Sequence, residues 1–457
     1  MKKYGAILLV LLLLLPAFSL QAFATTMENG CKTLHADRAL EEEGYTGTAK
    51  AVILYELNTQ TLVYAHNPDA SVNPTGLVKL MTALIALEEG NLNDVVTVKQ
   101  SVLNMVSSGA KRIGLKANDQ LTVKDLLYCV MVSSANDAAV VLADHVAGSQ
   151  KAFVEKMNTR AATLGCTNTF FADVNGLEDD RQYATARELA IISQEALKNP
   201  QFAELFGAVN YQLPETVSCT RDLTTTNSMM NLESSQYDAR VTGGKPSAAG
   251  SSDRSMICTA ESEEKRYLCV VISVSDKKSN YAGTFKEVRN LLNYGFDGFE
   301  IQQVMGTEQP FGLYAVAGGE NDVVVGPDEA LCALLPTAFD PAKLRFEDVP
   351  DVQALHAPLT AGAAVGVLRI YYDEIIIGQV NMLSRHAVAT AGENIQAPDS
   401  SGSNDGVFGR ILRWIGIILL IVLIITAAVL LILRRVNLSR YQKVRRRHAG
   451  TTERGEE

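Results

Sequence analysis

Apolar residues along this chain follow three patterns: uninterrupted runs near both ends, helical spacing through much of the interior, and short alternating segments toward the C-terminal side. The first run extends from about Ala6 to Phe18, follows Lys2 and Lys3, and reaches Ala22 and Ala24 spaced A-x-A. Basic, apolar and small-residue regions in that order predict a secretory signal peptide over residues 1–24, outside the fold. The second run, Trp414 to Leu433, holds no charge. About 20 apolar residues suffice to cross roughly 30 Å of hydrocarbon. Trp414 stands where an interfacial anchor belongs, and Arg434, Arg435, Arg440, Lys443, Arg445, Arg446 and Arg447 follow. Positive charge beside a span marks the cytoplasmic side. Residues 411–433 are therefore expected to be a transmembrane helix and 434–457 a basic cytoplasmic tail, making this a single-pass membrane protein with an extracellular ectodomain.

Between the runs, Ala51–Tyr55 and Thr61–Tyr64 read as the strands of a hairpin. Leu77–Glu89 carries Leu80, Ala83, Leu84 and Leu87 on one helical face. Val123–Val132, Ala135–Val146, Thr185–Lys198 and Thr284–Tyr294 are also helical in pattern, whereas Ser255–Thr259 and Arg266–Val274 alternate like paired strands. Strands at both ends of residues 25–297, with helices between, predict an α/β (α+β) sandwich on an antiparallel sheet. Residues 298–387 offer only short apolar segments between Gly, Pro and Asp turns, which predicts a small all-β domain. From 388 to 410 the composition shifts to Ser, Gly, Asp, Asn and Ala, the composition of a flexible tether.

Charge sharpens this division. The net charge is −10; setting aside +2 from residues 1–24 and +7 from residues 410–457 leaves −19 between them. So acidic an ectodomain argues against nucleic acid or an anionic bilayer surface as its partner, while the basic tail suits anionic headgroups. The seven cysteines show no C-x-x-C spacing and no obvious pairing, and an odd number leaves one over. Cys129 and Cys269 lie in apolar runs and read as small buried hydrophobes. No metal site or cofactor motif is evident.

The candidate chemistry lies at three places. Pro74-Thr75-Gly76-Leu77-Val78-Lys79 opens the first long helix, and Lys79 falls one turn after position 76, on the same face. A serine at 76 would sit at the helix N-terminus, its backbone N–H available to an oxyanion hole and its hydroxyl within reach of Lys79 as base. Ser134-Ala135-Asn136 precedes another helix, where serine alone reads equally as a cap. Lys245-Pro246-Ser247 precedes a strand, and taken singly both lysines read as solvated.

The order and spacing of G-L-V-K, S-A-N and K-P-S resemble the S-x-x-K, S-x-N and K-T-G motifs of the D-alanyl-D-alanine carboxypeptidases, the low-molecular-mass penicillin-binding proteins. The flanks KLMTALIALEEG, SSANDAAVVLADHVAGS and YATARELAIISQEALKNP are similar too, and the resemblance covers about Lys50 to Ser384. It implies a penicillin-binding/β-lactamase-like transpeptidase fold, cofactor-free serine chemistry, and peptidoglycan stem peptides ending in D-Ala-D-Ala as substrate. It places Gly76 at the nucleophile position, Lys79 at the general-base position, Ser134 and Asn136 beside them, and Lys245 and Ser247 on the substrate-binding strand. Four departures stand out: Gly76 for serine, Val78 for threonine, Pro246-Ser247 for threonine-glycine, and Asp173-Val174-Asn175-Gly176-Leu177 for a loop resembling N-P-H-G-L.

Glycine can carry no acyl group. Losing a nucleophile of this kind costs about 10⁶ in turnover, leaving about 10³–10⁴ over water from oxyanion-hole and binding effects. Proline at 246 removes a backbone donor and a hydroxyl, although a sheet edge tolerates it. The leading expectation is a membrane-tethered pseudoenzyme in the bacterial cell envelope that binds cell-wall peptides or a cell-wall protein. The alternatives are an active serine-type carboxypeptidase trimming terminal D-alanine and a structural scaffold in an envelope complex.

Overall fold

The computed structural model describes residues 31–392, apart from 35, 37–39, 41–44, 178–180, 220, 250–252, 276–280 and 328. Strands β1 (Ala51–Glu56), β2 (Thr61–His66), β3 (Val241–Ala249), β4 (Asp253–Ser262) and β5 (Lys265–Ser275) form one antiparallel sheet in the order β2-β1-β5-β4-β3. Their period-two alternation sorts side chains between two cores. Ala51, Ile53, Leu268, Val270 and Ile272 face one core; Val52, Leu54, Tyr267, Cys269 and Val271 face the other.

Helices α1 (Val78–Glu89), α2 (Val123–Met131), α3 (Asn136–Ala147) and α4 (Ala186–Leu197) fill the first core, and α5 (Ala282–Gly298) packs in the second. The ends of these helices carry local signals. Thr122 and Asp125 form a reciprocal capping box on α2, and the Thr185 hydroxyl accepts from the Glu188 N–H on α4. Gly148, at φ +76°, closes α3 in the left-handed conformation that glycine adopts without penalty. The one-faced pattern expected of α1 is not what forms: Val78 through Ala86 are all buried. Other helices surround α1, so its polar members are enclosed with the apolar ones. Each fully buried Leu or Ile contributes about 1.5–3 kcal/mol, and this density holds the N-terminal end of α1 firmly against the sheet.

Among the described residues beyond α5 the regular elements are strands and one 3₁₀ turn. Phe299–Met305 pairs antiparallel with Ala330–Pro336, to which Cys31–Thr33 adds in parallel. A second sheet runs in the order Gly312–Tyr314, Val323–Gly326, Ile375–Ser384, Ala364–Tyr372, Leu344–Pro350. The chain's first described strand thus lies among its last ones, and the described residues up to Ala391 belong to one compact unit. The expected tether begins too early: Val388 is buried and exchanges backbone hydrogen bonds with Leu359, because its apolar side chain still has a core to fill. Cys332 is disulfide-bonded, a pairing the spacing did not reveal, while Cys129, Cys166, Cys219, Cys258 and Cys269 are free.

Among the described residues no helix is long and apolar enough to cross a membrane, and no acidic, histidine or cysteine cluster could hold a metal. The expected signal peptide (1–24), span (411–433) and basic tail (434–457) lie outside the described residues, as does the tether from residue 393 onward.

Candidate functional site

A cleft of about 500 Å³ opens where the N-terminal end of α1, the start of α3, the loop 173–177 and the edge strand β3 meet. Gly76, Lys79, Ser134, Asn136 and Ser247 line it, so five of the six expected site residues are brought together. The sixth, Lys245, lies behind the wall. Its side chain is 0% exposed, and its ammonium donates to the Met131 carbonyl at 3.1 Å, the last carbonyl of α2. A cation there meets the negative end of the helix. Burial, followed by the charges of Lys79 and Lys111, holds the Lys245 pKa well below the usual lysine range.

Lys79 is 2% exposed. Its ammonium donates to Asn136 Oδ1 at 2.9 Å and to the Asn175 carbonyl. Desolvation pushes its pKa down to about 7, with the Asp173 carboxylate opposing the shift and Lys111 adding to it. The loop that supplies the carbonyl is itself pinned. Asp173 Oδ1 accepts from the N–H groups of Asn175 (2.9 Å) and Gly176 (2.5 Å), and the Thr82 hydroxyl donates to the Val174 carbonyl at 2.6 Å. Gly176 adopts φ +76°, and a Cβ there would fall 1.8 Å from the Thr75 carbonyl oxygen. Only glycine lets the two backbones approach this closely.

Ser134 does not cap α3. Ala135 is the cap residue, without a side-chain hydrogen bond, and Ser134 sits at φ +57° with its side chain in the cleft. A non-glycine residue in the left-handed region costs about 1–3 kcal/mol and persists where the surroundings hold it. Asn136 links two walls: its Nδ2 and its backbone N–H both donate to the Lys111 carbonyl, at 2.8 and 2.9 Å, while its Oδ1 accepts from Lys79. Next to it, Asp137 Oδ2 accepts from the N–H groups of Gly114 and Leu115 at 3.0 Å each. The Asn-Asp pair at the start of α3 therefore clamps residues 111–115 against the cleft. Sequence reasoning missed Lys111, whose side chain lines the cleft; the Asn136-Asp137 pair at a helix start was the available signal.

The nucleophile position is occupied from the other side. A Cβ on Gly76 would lie 2.9 Å from Ser247 Oγ and 3.9 Å from Lys79 Nζ. Ser247 is 4% exposed, and its hydroxyl lies 2.5 Å from that of Thr75. Thr75, at φ +47°, turns its hydroxyl toward β3. Val78 is 0% exposed within the helical core and does not line the cleft, so its departure from the motif belongs to packing. Pro246 is accommodated because β3 is the edge strand of the sheet.

Comparison with known proteins agrees with this geometry. A family model described as D-alanyl-D-alanine carboxypeptidase, peptidase family S11, matches residues 38–276. D-alanyl-D-alanine carboxypeptidase DacF of Bacillus subtilis is 26% identical over 348 residues, covering 75% of this chain and 87% of that protein. D-alanyl-D-alanine carboxypeptidase DacA of Haemophilus influenzae is 28% identical over 377 residues, covering 80% and 88%. The crystal structure of penicillin binding protein 5 from Haemophilus influenzae superposes with a TM-score of 0.61 at 25% identity, covering 76% of this chain and 100% of that one. With more than half of its length matched by that family model, this chain belongs to the D-alanyl-D-alanine carboxypeptidase family.

Proposed function

We propose that this protein is a non-hydrolysing, membrane-anchored member of its family that binds peptidoglycan stem peptides ending in D-Ala-D-Ala. The observation that carries the reading is the exchange at positions 76 and 247. The hydroxyl facing Lys79 in an active serine enzyme is absent, and the Ser247 hydroxyl fills the space it would need. Binding remains chemically reasonable because the cleft keeps its cations and its hydrogen-bonding wall. Lys79 and Lys111 line it, together with Ser134, Asn136, Thr224, Thr225 and Thr226, and among the described residues no acidic side chain does. A peptide carboxylate entering such a site gains charge-assisted hydrogen bonds. The N-terminal and C-terminal segments, read as signal peptide and transmembrane span, would hold the cleft outside the cell membrane, where stem peptides are found; the residues from 298 on would act as a spacer.

Incubation of the full-length protein with a fluorescent penicillin, followed by a denaturing gel, tests the loss of acylation; a covalent band would sink the reading. Calorimetric titration with a D-Ala-D-Ala peptide tests the binding half, and an absence of heat at millimolar peptide would leave a scaffold role instead.

One observation favours a second reading, residual hydrolysis through Ser247. Lys79, with a pKa of about 7, is poised as a general base close to a displaced hydroxyl. Labelling that disappears in Ser247→Ala would establish that reading.

A further inference from the structure

Lys111 lies outside the three sequence motifs, yet its side chain reaches the cleft. Its backbone carbonyl is committed to Asn136, but among the described residues its ammonium has no hydrogen-bond or ion-pair partner. It is exposed at the mouth, whereas Lys79 is enclosed deeper in. Lys79 already donates to Asn136 and to the Asn175 carbonyl, so its charge is partly satisfied by protein. Among the described residues no carboxylate lines the cleft to balance Lys111. A single ligand carboxylate seated near Lys79 would leave the outer ammonium unmatched.

We propose that Lys111 is a second anion-binding residue, and that the preferred ligand is a peptide with two carboxylates: the C-terminal one near Lys79 and another, one or two residues upstream, on Lys111. This rests on the peptide-binding reading and narrows it from D-Ala-D-Ala peptides in general to dianionic ones. Two structural details support it. The cleft's volume of about 500 Å³ exceeds what one terminal residue fills, leaving room for the upstream residue. The clamp from Asn136 and Asp137 fixes the backbone of 111–115, so the ammonium is presented from a held segment rather than from a wandering loop.

The test compares three probes on the full-length protein by calorimetry: N-acetyl-D-Ala-D-Ala, N-acetyl-Glu-D-Ala-D-Ala, and N-acetyl-Glu-Gly-Gly. The glutamyl D-alanine peptide should bind about two- to fivefold tighter than the singly charged one, the gain of one partly exposed ion pair. Lys111→Met should erase that preference, costing the doubly charged peptide more affinity than the singly charged one, and Lys111→Arg should keep the preference. Equal binding of the two D-alanine peptides, or a preference that survives Lys111→Met, overturns the inference while the peptide-binding reading stands. If only N-acetyl-Glu-Gly-Gly binds, and does so through Lys111, the dianion site stands and the D-Ala-D-Ala assignment falls. Because the Asn136 contact uses the Lys111 carbonyl and not its side chain, both variants retain the clamp, and matching melting temperatures verify it.

Discussion

Ser247 Oγ lies 2.9 Å from the point where a Cβ on residue 76 would be, a separation that real Cβ atoms do not adopt. The two positions, 171 residues apart in sequence, therefore act as one: a hydroxyl on either wall excludes a side chain on the other. Ser247 can yield only by rotating its hydroxyl away from Thr75 and giving up that buried hydrogen bond.

Gly76→Ser alone should accordingly destabilise the protein by about 1–3 kcal/mol, the range for overpacking a filled site, and should not gain penicillin labelling. Adding Ser247→Gly should recover most of that loss. A double-mutant cycle by urea denaturation should return a coupling energy above about 0.5 kcal/mol; strict additivity would show that the two side chains do not compete. Labelling of the double variant would show that the rest of the cleft is still competent.

The depressed pKa of Lys79 ties stability to pH with a definite sign. Between about 7 and the usual lysine range the folded protein holds this lysine neutral while the unfolded chain carries it charged. The unfolded state then binds more protons, so the Lys79 contribution to stability rises with pH across that window and is flat below 7. The slope is at most about 1.4 kcal/mol per pH unit. Lys79→Met should lack this component, so wild-type stability minus variant stability should grow between pH 6.5 and 9. A constant difference would mean that the lysine stays charged.

Ligand binding should run the other way. A carboxylate beside Lys79 favours the ammonium, so affinity for a D-Ala-D-Ala peptide should increase as pH falls from 9 through about 7 and level off below it. Calorimetry in buffers of different protonation enthalpy should detect proton uptake on binding at pH 8. An affinity independent of pH would place the peptide away from Lys79.

Gly176→Ala should be among the most damaging single changes near the site. The added methyl meets the Thr75 carbonyl at 1.8 Å, at a backbone angle that alanine adopts poorly. A loss of about 2–4 kcal/mol is expected, with weakened peptide binding because the loop can no longer present its carbonyl to Lys79. Unchanged thermal stability would refute the close backbone approach.

Much of this site was legible from short-range pattern. Lys79 one helical turn after Gly76, and Asn136 at a helix start, are spacings that a sequence displays directly, and the structure brings both into the cleft. What stayed hidden needed the third dimension. Lys111 precedes Asn136 by 25 residues in a segment without regular structure, and hydrogen bonds from Asn136 to its carbonyl and from Gly114 and Leu115 to Asp137 hold it at the cleft. Ser247 was visible as an altered motif, but its occupation of the space beside Gly76 depends on how an edge strand meets a helix. Val78 shows the opposite error, because a motif position need not face the cleft. Lys245, read as a ligand contact, is fully buried because the nearby helix end offers its charge a carbonyl.

The sheet that separates the two cores also makes them share a fate. Val52 and Ile53 are neighbours in sequence and point into different interiors, so neither side can melt while the other stays taut. The cleft consequently borrows its rigidity from residues it never touches. Damage to the far face, around α5 or the C-terminal strands, would register at the binding site as lost order rather than lost contact.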